Sequence, residues 1–143
     1  MNLDQYLDSL RQNPAFLSCV THWEVLPAQP ARLMDMPAGL SEPIVRALHK
    51  RGIYQLYTHQ RRAVDAALSG RSITVVTPTA SGKTYCYNLP VLETILRDRN
   101  ARALYLFPTK ALAADQNAEI NAFIADMGEE VKAFTYDGDT PVN

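Results

Sequence analysis

The chain has 143 residues, 47% of them hydrophobic and 20% charged, enough for one ordinary domain with a sizeable core and too apolar for a disordered one. Fourteen Lys and Arg against fifteen Asp and Glu leave a formal net charge of −1, so any binding of a polyanion has to come from a local surface rather than a global field. Two cysteines, Cys19 and Cys86, have no metal-ligand spacing and make no disulfide framework; they read as buried free thiols of a reducing compartment.

In chain order, "NLDQYLDSLRQNP" places Leu3, Tyr6, Leu7 and Leu10 on one helical face, with Pro14 just beyond the end. Its acids, and the lack of an apolar core of signal-peptide length or of any segment able to span a bilayer, point to the cytoplasm. "HWEVLPAQPARLMDMPAGL" holds Pro27, Pro30 and Pro37, which rule out a long helix and suggest an extended segment. "SEPIVRALHKRG" predicts a helix with Ser41 as N-cap, Pro43 in the first turn, Gly52 as the stop and Ile44, Val45 and Leu48 as the apolar stripe. "THQRRAVDAALSG" predicts a second one, capped by Thr58 and ended by Gly70.

From there the texture is that of alternating strands and helices. "SITVVT" is a continuous β-branched run, as in a strand buried on both faces. A helix through Leu96, a strand "ARALYLF", a helix "TKALAADQNAEINAFIADMG" ending near Gly128, and a third strand run "VKAFTY" follow. Short connections make the strands parallel, with helices flanking the sheet, and ligands of such α/β domains sit at the carboxyl ends of the strands.

Three loops lie at those ends. In "TPTASGKT", strand before and helix after, successive N–H groups and the helix N-terminus form a positive cradle for phosphates. Gly82 permits close backbone approach, Lys83 places a point charge on the β- and γ-phosphates, and the Thr84 hydroxyl suits Mg²⁺. Thr77 stands where the general pattern asks for glycine, and the plain alternative is a strand–turn–helix with an incidental Gly-Lys-Thr. In "FPTKALAADQ", Thr109 can cap the next helix and Lys110 adds charge to a phosphate-ready edge, or the pair is simply a cap and a solvated lysine. In "TYDGDTP", Gly138 lies between Asp137 and Asp139; a tight turn accounts for it, and the two acids read as turn formers ahead of a metal or general-acid pair.

Taken together with "LYTHQ", these loops resemble motifs Q, I, Ia and Ib of superfamily-two helicases, whose phosphate loop is commonly A-x-T-G-S-G-K-T, so glycine is not required at Thr77 while Ala80 departs slightly. The set is similar to the DEAD/DEAH-box helicases of the mitomycin repair factor A (YprA-like) type, from His22 onward. That resemblance implies a partial RecA-like P-loop domain with a parallel sheet flanked by helices. Residues 1–52 would be a helical and extended lead-in and residues 53–143 the first part of the first ATP-binding domain.

It also implies an ATP-dependent DNA helicase translocating 3′ to 5′ in DNA repair, using ATP and Mg²⁺. Gln60 would read adenine beside Tyr54 or Tyr57, which could equally be core aromatics. Thr79, Ala80, Ser81, Gly82, Lys83 and Thr84 would hold phosphates, with Lys83 and Thr84 catalytic and Thr84 on the metal. Pro108, Thr109, Lys110, Gly138, Asp139 and Thr140 would touch the backbone of a DNA strand. No D-E-x-H motif precedes Asn143, so the expectation is the front of one lobe of a two-lobe motor, inactive in isolation. The alternatives are a standalone nucleotide- or nucleic-acid-binding module without turnover, or a small kinase, for which acceptor-site and lid residues are lacking.

Overall fold

The computed structural model describes every residue except Met1, Gln29, Ala80, Asp139 and residues 141–143. It divides into two compact units, residues 1–30 and 31–143.

In the first unit, helix α1 spans Leu3–Arg11. Asn2 starts it with a capping box: its Oδ1 accepts from the Gln5 N–H at 2.9 Å while Gln5 Oε1 accepts from the Asn2 N–H at 3.0 Å. Pro14, expected past the end, opens the short helix α2, Pro14–Leu17, whose cap is Asn13. Neither helix has a buried residue. The Trp23 ring carries the Phe16 edge at 6.2 Å and the Arg11 guanidinium at 5.0 Å. Cys19 is exposed, which corrects the expectation of two buried thiols; only Cys86 is buried, and burial pushes its thiol pKa up.

In the second unit, the two-residue strands β1 (Leu33–Met34) and β2 (Leu56–Tyr57) pair antiparallel, Leu33 opposite Tyr57. Four helices follow the expected periodicities: α3 Glu42–Lys50, α4 Thr58–Leu68, α5 Thr84–Arg97 and α6 Lys110–Met127. Their apolar faces meet in one core of Ile44, Ala47 and Leu48 from α3, Val64 from α4, Leu89 and Leu92 from α5, and Ile120, Phe123, Ile124 and Met127 from α6. α3 shares that core with α4, α5 and α6, within the unit of residues 31–143.

One cap differs from expectation and one stands where expected with a distant partner. Thr58 is the first helical residue of α4 rather than its cap, and its hydroxyl donates to the Arg32 carbonyl at 2.8 Å. Ser41 is the N-cap of α3, but its hydroxyl and N–H both donate to Glu93 Oε2 at 2.7 Å. Glu93 on α5 is 1% exposed and also accepts from Arg97 Nε at 2.6 Å. Burial alone would raise its carboxyl pKa; the Ser41 N–H, the Ser41 hydroxyl and Arg97 outweigh it and hold the group below the usual range.

The three runs expected as strands form no ladder: among the described residues β1 and β2 make the sheet that is present. Tyr105, Val131 and Ala133 pack on the helical core, so the expected period of two is visible. The opposite face is open, with Val76 at 88%, Leu104 and Leu106 at 84% and Tyr136 at 88% exposure. The expectation that "SITVVT" is buried on both faces is therefore corrected: Val75 and Thr77 are half-buried and the other residues of the run are exposed.

Candidate functional site

The run ending at Thr77 delivers the chain to the N-terminus of α5, and α4 packs alongside. Gly82 has φ 72°, a left-handed conformation that a side chain resists, and it turns the loop into the helix. Lys83 stands at the N-cap with no side-chain cap bond, and the Tyr85 and Cys86 N–H groups donate to the Gly82 and Lys83 carbonyls at 3.3 and 2.9 Å. The Lys83 ammonium folds over that side and donates to the Thr77 carbonyl at 2.9 Å and the Pro78 carbonyl at 2.6 Å. It also lies 3.2 Å from the hydroxyls of Thr77 and Ser81, which bond each other at 2.7 Å. Thr77 thus contributes a hydroxyl to the loop where glycine could not. Thr79 is exposed on the turn, and Ala80 lies outside the described residues.

Two neighbours on the first turn of α4 reach the loop. Gln60, 4% exposed, donates from Nε2 to the Gly82 carbonyl at 2.9 Å and accepts the Tyr57 N–H on Oε1 at 2.9 Å. A Cβ added to Gly82 would lie 2.5 Å from that Nε2. His59 places Nε2 2.9 Å from the Ser81 carbonyl, a contact that the sequence analysis did not single out. Tyr57 is exposed and stacks on His59 at 5.7 Å; Tyr54 is exposed and tilts over His49 at 5.0 Å. Neither tyrosine is a core aromatic, and the two are on different rings' faces, so Tyr57 alone joins the loop region.

On the other side of the loop, Thr84 is half-buried and lines a cavity of about 390 Å³ with Asp115, Gln116, Ala118, Glu119 and Ala122 of α6. Gln116 accepts the Tyr87 hydroxyl at 2.7 Å. Arg51 orders the far end of this helix, paired with Asp126 and Glu119 at 2.8 Å and lying over Phe123 at 4.9 Å. Among the described residues no three His, Cys, Asp or Glu side chains gather as a metal cage. The half-buried Thr84 hydroxyl is of a type that could serve a Mg²⁺ brought in with phosphates.

The other two loops stand apart on the next two runs. Thr109 caps α6, its Oγ1 accepting the Leu112 N–H at 3.2 Å, and Pro108, Thr109 and Lys110 are exposed. Thr140 closes the last turn, its Oγ1 accepting the Asp137 N–H at 2.9 Å, beside an exposed Gly138; Asp139 lies outside the described residues. Asp137 is thus part of a tight turn closed by Thr140.

The DEAD/DEAH box helicase family matches residues 57–143. YprA of Bacillus subtilis strain 168, an uncharacterized ATP-dependent helicase, is 55% identical over 85% of this chain. The crystal structure of the DUF1998 helicase MrfA bound to DNA and AMPPNP superposes with a TM-score of 0.86 at 50% identity over 99% of this chain. MrfA bound to DNA alone gives 0.85. The chain spans 16% of the length of YprA and 19% of that MrfA chain. The helices, the phosphate-loop geometry and these likenesses agree on a RecA-like helicase fold: the chain belongs to the DEAD/DEAH box helicase family.

Proposed function

We propose that the chain is the ATP-binding first part of an ATP-dependent DNA helicase that translocates 3′ to 5′ in DNA repair, in the cytoplasm, with residues 53–143 beginning its first ATP-binding domain. The observation that carries this reading is the loop itself. Lys83 is turned inward onto the Thr77 and Pro78 carbonyls at the start of α5, while the carbonyls of Ser81 and Gly82 are held back by α4. A triphosphate replaces two neutral carbonyls as partner of the Lys83 ammonium, and the charge-assisted bonds so formed are the stronger ones. Thr79 to Thr84 hold the phosphates, and the Thr84 hydroxyl joins the Mg²⁺ that accompanies them. The metal neutralises phosphate charge when bound.

Gln60 gives the adenine edge its remaining N–H and lone pair, and Tyr57 gives the base a face. Pro108, Thr109, Lys110, Gly138, Asp139 and Thr140 follow one strand of DNA through its backbone. The reading is supported by the family match and by the ligands of MrfA, DNA and AMPPNP. Residues 1–143 alone neither hydrolyse ATP nor unwind DNA, because phosphoryl transfer also needs a metal-organising acid, a positioned water and an arginine that these loops do not supply. The test is ATPase activity of the protein carrying a D-E-x-H strand and a second lobe, with and without Lys83→Ala. Loss of turnover with the fold retained is expected, and near-normal turnover would reject the assignment.

A further inference from the structure

We propose that His59 is a positioning residue of the phosphate loop, acting as the second of two clamps that α4 places on consecutive loop carbonyls. The inference rests on the phosphate-loop reading above. Ser81 O and Gly82 O are adjacent acceptors in the segment that turns from extended chain into α5. The first takes His59 Nε2 at 2.9 Å and the second takes Gln60 Nε2 at 2.9 Å. A carbonyl oxygen only accepts, so His59 Nε2 carries the proton and the interaction fixes that ring nitrogen as donor. The ring is held in turn by Tyr57, stacked at 5.7 Å with 13° between planes, and Tyr57 N–H is held by Gln60 Oε1. Tyr57, His59 and Gln60 therefore form one closed set on a single helical turn.

The chemistry follows from the direction of the two bonds. A peptide group that gives its carbonyl to α4 turns its other side, with the N–H of the next residue, away from α4. The carbonyls of Ser81 and Gly82 precede the N–H groups of Gly82 and Lys83, so clamping both aims two consecutive donors at the cradle and keeps two acceptors out of reach of phosphate oxygens. A loop held by Gln60 alone keeps one peptide plane set and leaves the other able to flip at Gly82, where glycine imposes no side-chain barrier. Any flipped fraction is lost to binding, and the apparent affinity falls by the fraction that remains competent.

His59→Phe keeps a stacking ring and removes the donor; His59→Gln removes the ring and carries an amide N–H to a position close to that of Nε2. The binding of Mg-ATP is followed by isothermal titration for the 143-residue chain, both variants and Lys83→Ala, alongside thermal melting without nucleotide. The carbonyl ¹³C shift of Ser81 reports the bond directly. We expect His59→Phe to bind about fivefold more weakly, the worth of one net hydrogen bond. It should melt with the parent and move the Ser81 carbonyl shift toward the unbonded value, and His59→Gln should recover both affinity and shift. Parent-like affinity in His59→Phe overturns the proposal, as does a His59→Gln that restores the Ser81 shift without restoring affinity. Binding that is absent in the parent, or unaffected by Lys83→Ala, overturns the phosphate-loop reading itself and this inference with it.

Discussion

Replacing Gly82 by alanine perturbs two things that can be separated. Gly82 holds φ 72°, and an L side chain in the left-handed region costs about 1–2 kcal/mol. The new Cβ also arrives 2.5 Å from Gln60 Nε2. Long side chains often yield to such a contact, but this amide is buried and bonded at both ends, to the Tyr57 N–H and the Gly82 carbonyl. It can move aside only by releasing the Gly82 bond, about 1 kcal/mol more. The two contributions total about 2–3 kcal/mol, which is about 30- to 140-fold in Mg-ATP affinity if both are borne by the binding-competent loop. Global melting should change less than affinity, because Gly82 is exposed and the buried side chain it meets, Gln60, is outside the apolar core cluster. A fluorescence titration of Gly82→Ala in the parent and in a Gln60→Ala background separates the parts. With Gln60 removed the contact disappears, and the glycine substitution should cost only its backbone share. An equal cost in both backgrounds, or affinity within twofold of the parent, would refute the reasoning.

Further outcomes follow from other contacts. Gln60→Ala should reduce selection of ATP over GTP, because one primary amide supplies both a donor and an acceptor; unchanged selectivity in competition binding would contradict that. Glu93→Gln should cost about 2 kcal/mol in urea unfolding near neutral pH, since charge-assisted bonds to Ser41 and Arg97 weaken to neutral ones. The folded Glu93 carboxyl titrates below its unfolded value, so its contribution is complete above about pH 4.3 and is lost as pH falls through the folded value. The parent's advantage over Glu93→Gln should accordingly shrink as pH falls below that value, and an advantage that grows with falling pH would count against it. Phe123→Ala should cost about 3–5 kcal/mol, as a nearly fully buried ring under Arg51 and beside Tyr85 is removed. Affinity for single-stranded DNA should fall with salt by a slope near −0.7 per phosphate neutralised and vary little with sequence, and Lys110→Ala should lower that slope.

The helices and the loops were legible because their signals are local. Thr109 and Gly128 bound α6 where the sequence places a cap and a left-handed stop, and Pro43 and Gly52 bound α3 likewise. Gly82, Lys83 and Thr84 were readable for the same reason, as a fixed spacing between a β-branched run and a helix. What escaped was set by partners distant in sequence. Ser41 is the N-cap of α3 as expected, but the carboxylate 52 residues away that takes both of its donors left no local signal. Thr58 was displaced from the cap position by the chain at Arg32. The β-branched runs expected as strands pair with nothing among the described residues, since pairing depends on neighbours that no run encodes alone, and side chains such as Val76, Leu104 and Tyr136 stay exposed. His59 carries no motif signal of its own; only the fold brings it to the Ser81 carbonyl.

The central claim is that the loop from Thr77 to Thr84 receives the phosphates of ATP through Lys83 and the N-terminus of α5. Amide ¹⁵N shifts of the 143-residue chain, titrated with Mg-ATP, test it residue by residue and register weak binding. The account predicts saturable shifts concentrated at Gly82, Lys83 and Thr84, with a smaller response at Gln60, all abolished by Lys83→Ala while the spectrum otherwise stays that of the folded parent. Shifts that leave these amides untouched, or that survive Lys83→Ala, would contradict it.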